Sequence, residues 1–161
     1  MLCSCLSTGI VTSLREVFGC ESLSQRYLFV SALVALYPEI AAIIHDDACH
    51  LHKFSAARAG GSAAAARLAP PMIRYICDPF HMAGHTDAWC KVHCSPHAPD
   101  LKAFVRGVRT SVCEFTFTWF SQYTHQSNHM SEWGFKFFLQ EMCWAHNDAS
   151  FDGDAAHLTH S

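Results

Sequence analysis

Apolar positions along the chain change their period several times, and the changes mark out its elements. Between Ser24 and Leu36 they fall at Tyr27, Leu28, Val30, Leu33, Val34 and Leu36, a helical spacing that buries most of the circumference. Pro38 ends that helix, because a proline drives the residue before it out of the helical region. Ala41 to Ile44 is a short unbroken apolar run, the pattern of a buried strand. Ile10, Val11 and Thr12, just after Gly9, have the β-branched character of another strand, and Glu16 to Ser24 reads as a turn into the helix.

Two helices are predicted near the end. From Thr110 to Tyr123 a stripe of Val112, Phe115, Trp119, Phe120 and Tyr123 faces a core, while Glu114, Thr118, Ser121 and His125 recur on another side. From Ser131 to His146 the residues Trp133, Phe137, Phe138, Met142 and Trp144 leave hardly any polar face, which predicts a core helix. The pattern lapses in two places. ARAGGSAAAARLAPP, residues 57–71, is low-complexity with a Gly pair and a Pro pair and reads as a flexible insertion. Residues 148–161 have little to bury and read as a disordered tail, so residues 1–147 are taken as one domain. Short buried strands alternating with helices define an α/β class.

Composition narrows this picture. The apolar stretch from Tyr27 to Ile44 is interrupted by Ser31, Pro38 and Glu39, and a Pro-Glu pair in lipid is costly, so no membrane span is expected. Nine cysteines would suggest disulfides, but the count is odd, histidines number twelve, and MLCSCLSTGIV carries no basic n-region before an apolar stretch. A reducing, intracellular setting with some thiols on metal fits better. The formal charge is -3, yet Leu51 to Thr110 holds Lys53, Arg58, Arg67, Arg74, Lys91, Lys102, Arg106 and Arg109 against Asp78, Asp87 and Asp100. That local excess suits either nucleic acid or an ordinary solvated surface.

Two constellations could carry chemistry. In HDDACH, Asp46 or Asp47 follows a buried strand, and open α/β sheets place their chemistry at that edge; Glu114 stands on a helix approached through Arg106 and Arg109. Carboxylates gathered from distant positions hold Mg²⁺ or Mn²⁺, and such ions activate an attacking hydroxyl in phosphodiester cleavage. The plainer reading is a strand-end cap and a solvated helix residue. The second constellation is His81, His85, Cys90 and Cys94, spaced HxxxHxxxxCxxxC, with Cys49, Cys77 and His93 as further candidates. Thiolates and imidazoles so close together suit a tetrahedral structural Zn²⁺, although buried thiols with hydrogen-bonded histidines would give the same pattern. Trp89 reads as core packing, and so does the Cys143–His146 pair.

IIHDDACHL, CDPFHMAGHTDAWC with Cys94-Ser-Pro, VRTSVCEFTFTWFSQYTHQSNHM and FFLQEMCWAHN follow one another in an order that resembles the KDZ transposases, the Kyakuja, Dileera and Zisupton elements. The resemblance covers about residues 9 to 147, and its most specific part is the block resembling DxFHxxxHxxxWCxxxCxP. It implies a ribonuclease-H-like DDE fold with a zinc-binding insertion, Asp46 as the second catalytic acid, three before Cys49, and Glu114 as the last. Asp78 and His81 match the family's DxxH pair. It further implies DNA as substrate, two Mg²⁺ ions, self-association, a nuclear location, and no small-molecule substrate. RTSVCEF stands where the family reads near NTxxxEQ, with Arg109 and Phe115 flanking the retained glutamate. The family's first Asp belongs upstream of MLCSCLSTGIV, so the chain is expected to be an N-terminally truncated part, inactive until that residue is supplied. The alternative is a non-catalytic, zinc-stabilised module that binds DNA or protein.

Overall fold

A computed structural model of the chain describes residues 2–4, 8–17, 19–107, 109–110 and 112–158. They form two units, one spanning Arg15–Thr110 and one made of Leu2–Leu14 with the residues after Thr110. The architecture is mixed α/β and mostly helical, with two small sheets. The chain opens with β1 (Leu2–Ser4) and β2 (Val11–Leu14), paired antiparallel with Leu2 opposite Leu14.

The first unit begins with α1 (Leu23–Leu36). Its start is set by a capping box, in which the Ser22 hydroxyl accepts from the Gln25 backbone N–H and the Gln25 side chain accepts from the Ser22 N–H. Phe29, Val30, Leu33 and Val34 are its buried face. There follow β3 (Ala42–His45), α2 (Ala48–Ala56), α3 (Ala63–Leu68), β4 (Arg74–Cys77), α4 (Pro79–Met82), α5 (Ala88–His93) and α6 (Lys102–Val105). β3 and β4 pair in parallel, and a parallel pair requires a crossover, which α2 and α3 supply. The core lies where α1 and α2 pack on this sheet: Val30, Val34, Ala48, Leu51, Leu68, Ile73 and Tyr75, with four thiols among them.

Residues 57–71 depart from the flexible insertion expected of them. Ser62 caps α3 by accepting from the Ala65 N–H at 3.0 Å, Leu68 and Ala69 are buried, and the Leu68 carbonyl accepts from the Tyr75 hydroxyl at 2.7 Å. Alanine is the strongest helix former, and a single leucine anchors the short helix to the core, so low complexity here marks a simple helix. No helix among the described residues is long and apolar enough to cross a membrane.

The second unit continues with α7 (Val112–Ser121), α8 (Thr124–Ser127) and α9 (Glu132–Leu158). α7 keeps the expected stripe inward except at Phe115: Val112, Trp119, Phe120 and Tyr123 are half-buried. Thr116 is buried and near the His146 ring, Trp119 packs on the same ring, and Tyr123 meets Phe138, whereas Phe115 lies one residue off this line and is exposed. α9 is not the fully buried core helix that its composition suggests. Phe138, Met142 and His146 share the covered face, while Trp133, Phe137 and Trp144, on the opposite side by helical spacing, are exposed. α9 also runs past His146 through the first eleven residues of the expected disordered tail, to Leu158. No proline interrupts it, and the Ser150 hydroxyl donates back to the His146 carbonyl at 2.9 Å. Residues 159–161 lie outside the described residues.

Candidate metal centre and strand-end carboxylates

The register of the parallel pair sets the site. His45 stands opposite Cys77, so Asp46 and Asp78 leave the two strands side by side at their carboxyl ends. The Asp78 N–H donates to the His45 carbonyl at 3.3 Å. Asp78 then caps α4, its Oδ1 accepting from the N–H groups of Phe80 and His81 at 2.9 and 3.3 Å. The His81 ring stands between the acids, with Nδ1 3.3 Å from Oδ1 of Asp78 and 3.3 Å from Oδ1 of Asp46. Burial works to raise the Asp78 carboxyl, but hydrogen bonds from the Thr110 side chain and the Phe80 and His81 backbone outweigh it and hold the group below its ordinary value. Its second oxygen is buried without a hydrogen-bond partner among the described residues, whereas the Asp46 carboxylate is largely exposed.

The neighbouring Asp47 is committed elsewhere. Its Oδ1 bonds the Arg26 guanidinium of α1 and lies 3.0 Å from His45 Nδ1, and its Oδ2 lies 3.5 Å from His50 Nδ1. His45 and then Arg26 hold this carboxyl far below the usual range despite partial burial. Asp47 thus ties α1 to the strand end and leaves Asp46 as the outward-facing acid.

Beneath the carboxylates lies the thiol cluster. Cys49 is in the first turn of α2, Cys77 ends β4, Cys90 is in α5 and Cys94 caps it; all four are buried. The Cys77 N–H donates to the Cys94 carbonyl at 2.8 Å, which draws the end of α5 against the strand. Cys49 Sγ, Cys90 Sγ and a ring nitrogen of His85 lie within 4.8 Å of one another, and among the described residues this is the one His/Cys/Asp/Glu group that close. Cys49 Sγ is 3.6 Å from His85 Nδ1. Zinc bonds of about 2.3 Å to sulfur and 2.0 Å to nitrogen at a tetrahedral angle separate the ligand atoms by about 3.5 Å, so the pair fits a common ion.

His85 also sets its own tautomer. Nε2 lies 3.0 Å from the Asp46 carbonyl oxygen, an acceptor only, so Nε2 carries the proton and the Nδ1 lone pair points at Cys49. The thiols influence one another as well. A hydrogen bond from Cys94 brings Cys77 down to about 6, while burial and the Cys90 thiol push Cys49 up to about 12. Cys94 moves upward through its bond to Cys77 and through burial, and its sulfur lies 3.7 Å from His52 Nδ1.

Of the expected zinc residues, Cys49, His85 and Cys90 come together; Cys94 and Cys77 adjoin them through the thiol network. His81 does not join and serves the carboxylates, because the single turn's length of chain from His81 to His85 is not continuous helix: α4 ends at Met82. His93 stacks on Trp89 at 4.4 Å. Trp89 packs against the core as expected, with the Lys53 ammonium 4.4 Å above its ring. Glu114 is exposed on α7, in the second unit. His52 and Arg26 escaped the sequence reading; His52 lies three residues beyond Cys49, one helical turn on, which could have flagged it. No protein-family model, curated protein or solved structure matches the chain.

Proposed function

We propose that this chain is part of a DDE-type, transposase-like catalytic domain of ribonuclease-H-like fold, in which a zinc-stapled α/β unit presents Asp46 for metal-dependent DNA cleavage and strand transfer. The observation that carries the reading is the double role of His85, which faces Cys49 with one nitrogen and holds the Asp46 carbonyl with the other. The His/Cys block thereby fixes the backbone of the strand-end acid. Cys49, His85 and Cys90 would hold Zn²⁺, with Cys77 or Cys94 as the source of a fourth ligand. Asp46 would contribute to holding Mg²⁺, a hard ion that takes few carboxylates and leaves positions for substrate phosphates, and the resemblance makes Glu114 the last acid. When bound, the ion would supply charge stabilisation at the phosphate. His81, between Asp46 and Asp78, orients the Asp46 carboxylate and limits its rotation.

Plasmid nicking tests this. The chain, alone and within any longer reading frame that contains it, is incubated with supercoiled DNA in Mg²⁺ or Mn²⁺. Nicking that is lost in both Asp46→Asn and Glu114→Gln supports the reading; nicking that survives either substitution refutes the assignment. A second reading, a non-catalytic zinc-stabilised module binding DNA or protein, is favoured by one observation: the whole Cys/His group is built within Arg15–Thr110, without any residue of the unit that carries Glu114. Zinc binding and folding without nicking in any form would select it.

A further inference from the structure

A cavity of about 320 Å³ lies entirely within the first unit and adjoins the thiol cluster through His52, whose Nδ1 is 3.7 Å from Cys94 Sγ. Its floor is buried and apolar, from Ile73, Leu101 and the ring of Tyr75, whose hydroxyl is already engaged with Leu68 and Ser55. Flat rings and prolines make the sides: the imidazoles of His52 and His93, and Pro70 with Pro71. Arg74 and Asp100 bring opposite charges to the lining.

We propose that this cavity binds a single nucleotide, its base laid against the His52 and His93 imidazoles and its phosphate taken by Arg74. The volume is at the small end of ligand sites, room for one ring system with a short polar appendage. Bases stack on aromatic faces irrespective of sequence, and the guanidinium fork matches phosphate oxygens. Asp100 supplies an acceptor for the amino or ring N–H groups on a base edge, a need that a plain aromatic acid does not have. A ligand with a donor edge and an anionic group can engage both the carboxylate and the guanidinium. His52 and His93 come from the same two helices as Cys49 and Cys90, so the cavity wall and the thiol cluster share one scaffold. This inference goes beyond the proposed strand cleavage and holds whether or not the chain cuts DNA.

Calorimetric titration of the full chain tests it, with dAMP, dCMP, deoxyadenosine, inorganic phosphate and phenylalanine as probes. Saturable binding of dAMP or dCMP at one site per chain is expected, with deoxyadenosine and phosphate each at least about tenfold weaker. Val92→Trp, at an exposed rim position, should fill the cavity and abolish binding while circular dichroism and metal content stay unchanged. Arg74→Gln should narrow the gap between nucleotide and nucleoside. Competition by a short single-stranded oligonucleotide that exceeds dAMP in affinity assigns the occupant to an unstacked residue of a strand; weaker competition assigns it to the free nucleotide. Absence of saturable nucleotide binding at millimolar concentration, binding by Val92→Trp equal to the unaltered chain, or tighter binding of phenylalanine than of dAMP would each overturn the proposal.

Discussion

The Asn147 carboxamide grips both backbone groups of Val11: Oδ1 accepts from the N–H at 2.8 Å and Nδ2 donates to the carbonyl at 3.0 Å. A side chain of α9 thus acts as one further strand residue beside β2. Val11 is buried, so removing the carboxamide strands a donor and an acceptor together. Asn147→Ala should cost about 2 kcal/mol. The check is the urea midpoint, with far-ultraviolet circular dichroism confirming that α9 persists.

Elemental analysis of the purified chain should give close to one zinc per molecule, and Cys90→Ser should abolish it. Thiols must be deprotonated to bind the ion, and burial holds Cys49 up at about 12 in the metal-free chain. Zinc uptake should therefore release protons, and its affinity should fall about tenfold per unit of decreasing pH for each proton released. Titration in buffers of different ionisation enthalpy counts the protons. A chelator should lower the melting temperature of the first unit.

His85→Gln separates the two tasks of one ring. The glutamine amide can still donate to the Asp46 carbonyl, while the nitrogen facing Cys49 is lost. Zinc affinity should drop by at least about tenfold. Resonances of Asp46 should move less than in His85→Ala, which loses both contacts. Equal shifts in the two variants would dissociate the carbonyl bond from the placement of Asp46.

Asp47 gives the stability an acid edge. Its carboxyl is depressed in the folded chain, first by His45 and then by Arg26, relative to about 4 unfolded. Its contribution is therefore complete above that unfolded value and is lost as pH falls toward the folded one. Asp47→Asn should destabilise by about 2 kcal/mol near neutrality, and the difference from the unaltered chain should shrink below pH of about 4. Denaturant titrations at several pH values measure it.

Local pattern was readable where one physical demand acted alone. Ser24 to Leu36 announced α1 because its apolar spacing and Pro38 agreed, and the run from Ala41 to Ile44 announced β3 almost to the residue. Asp46 at a strand end was readable for the same reason. The pairing of His45 with Cys77 was not, since parallel register depends on how the crossover returns, and so the juxtaposition of Asp46 with Asp78 stayed hidden. The zinc candidates were half readable: spacing pointed to His85 and Cys90, with Cys49 among the further candidates, but it also grouped Cys94 and His81 with them, the latter because the end of α4 at Met82 left no mark in the pattern. α9 was misread for a different reason. An all-round apolar helix says that it can be buried, not which side finds a neighbour; here Phe138 and His146 meet α7 and Asn147 reaches Val11, while Trp133, Phe137 and Trp144 are exposed.

Cys49 and His85 lie 36 positions apart, and an ion between them would make the intervening chain, α3 included, a closed loop. Closing a loop costs entropy that grows only with the logarithm of its length, about 0.6 kcal/mol for each doubling. Once the metal clasps the ends, the alanine- and glycine-rich stretch before α3 can therefore lengthen or shorten with small thermodynamic effect. That stretch is the natural place for a tag or a reporter domain to be inserted without loosening the strand-end acids.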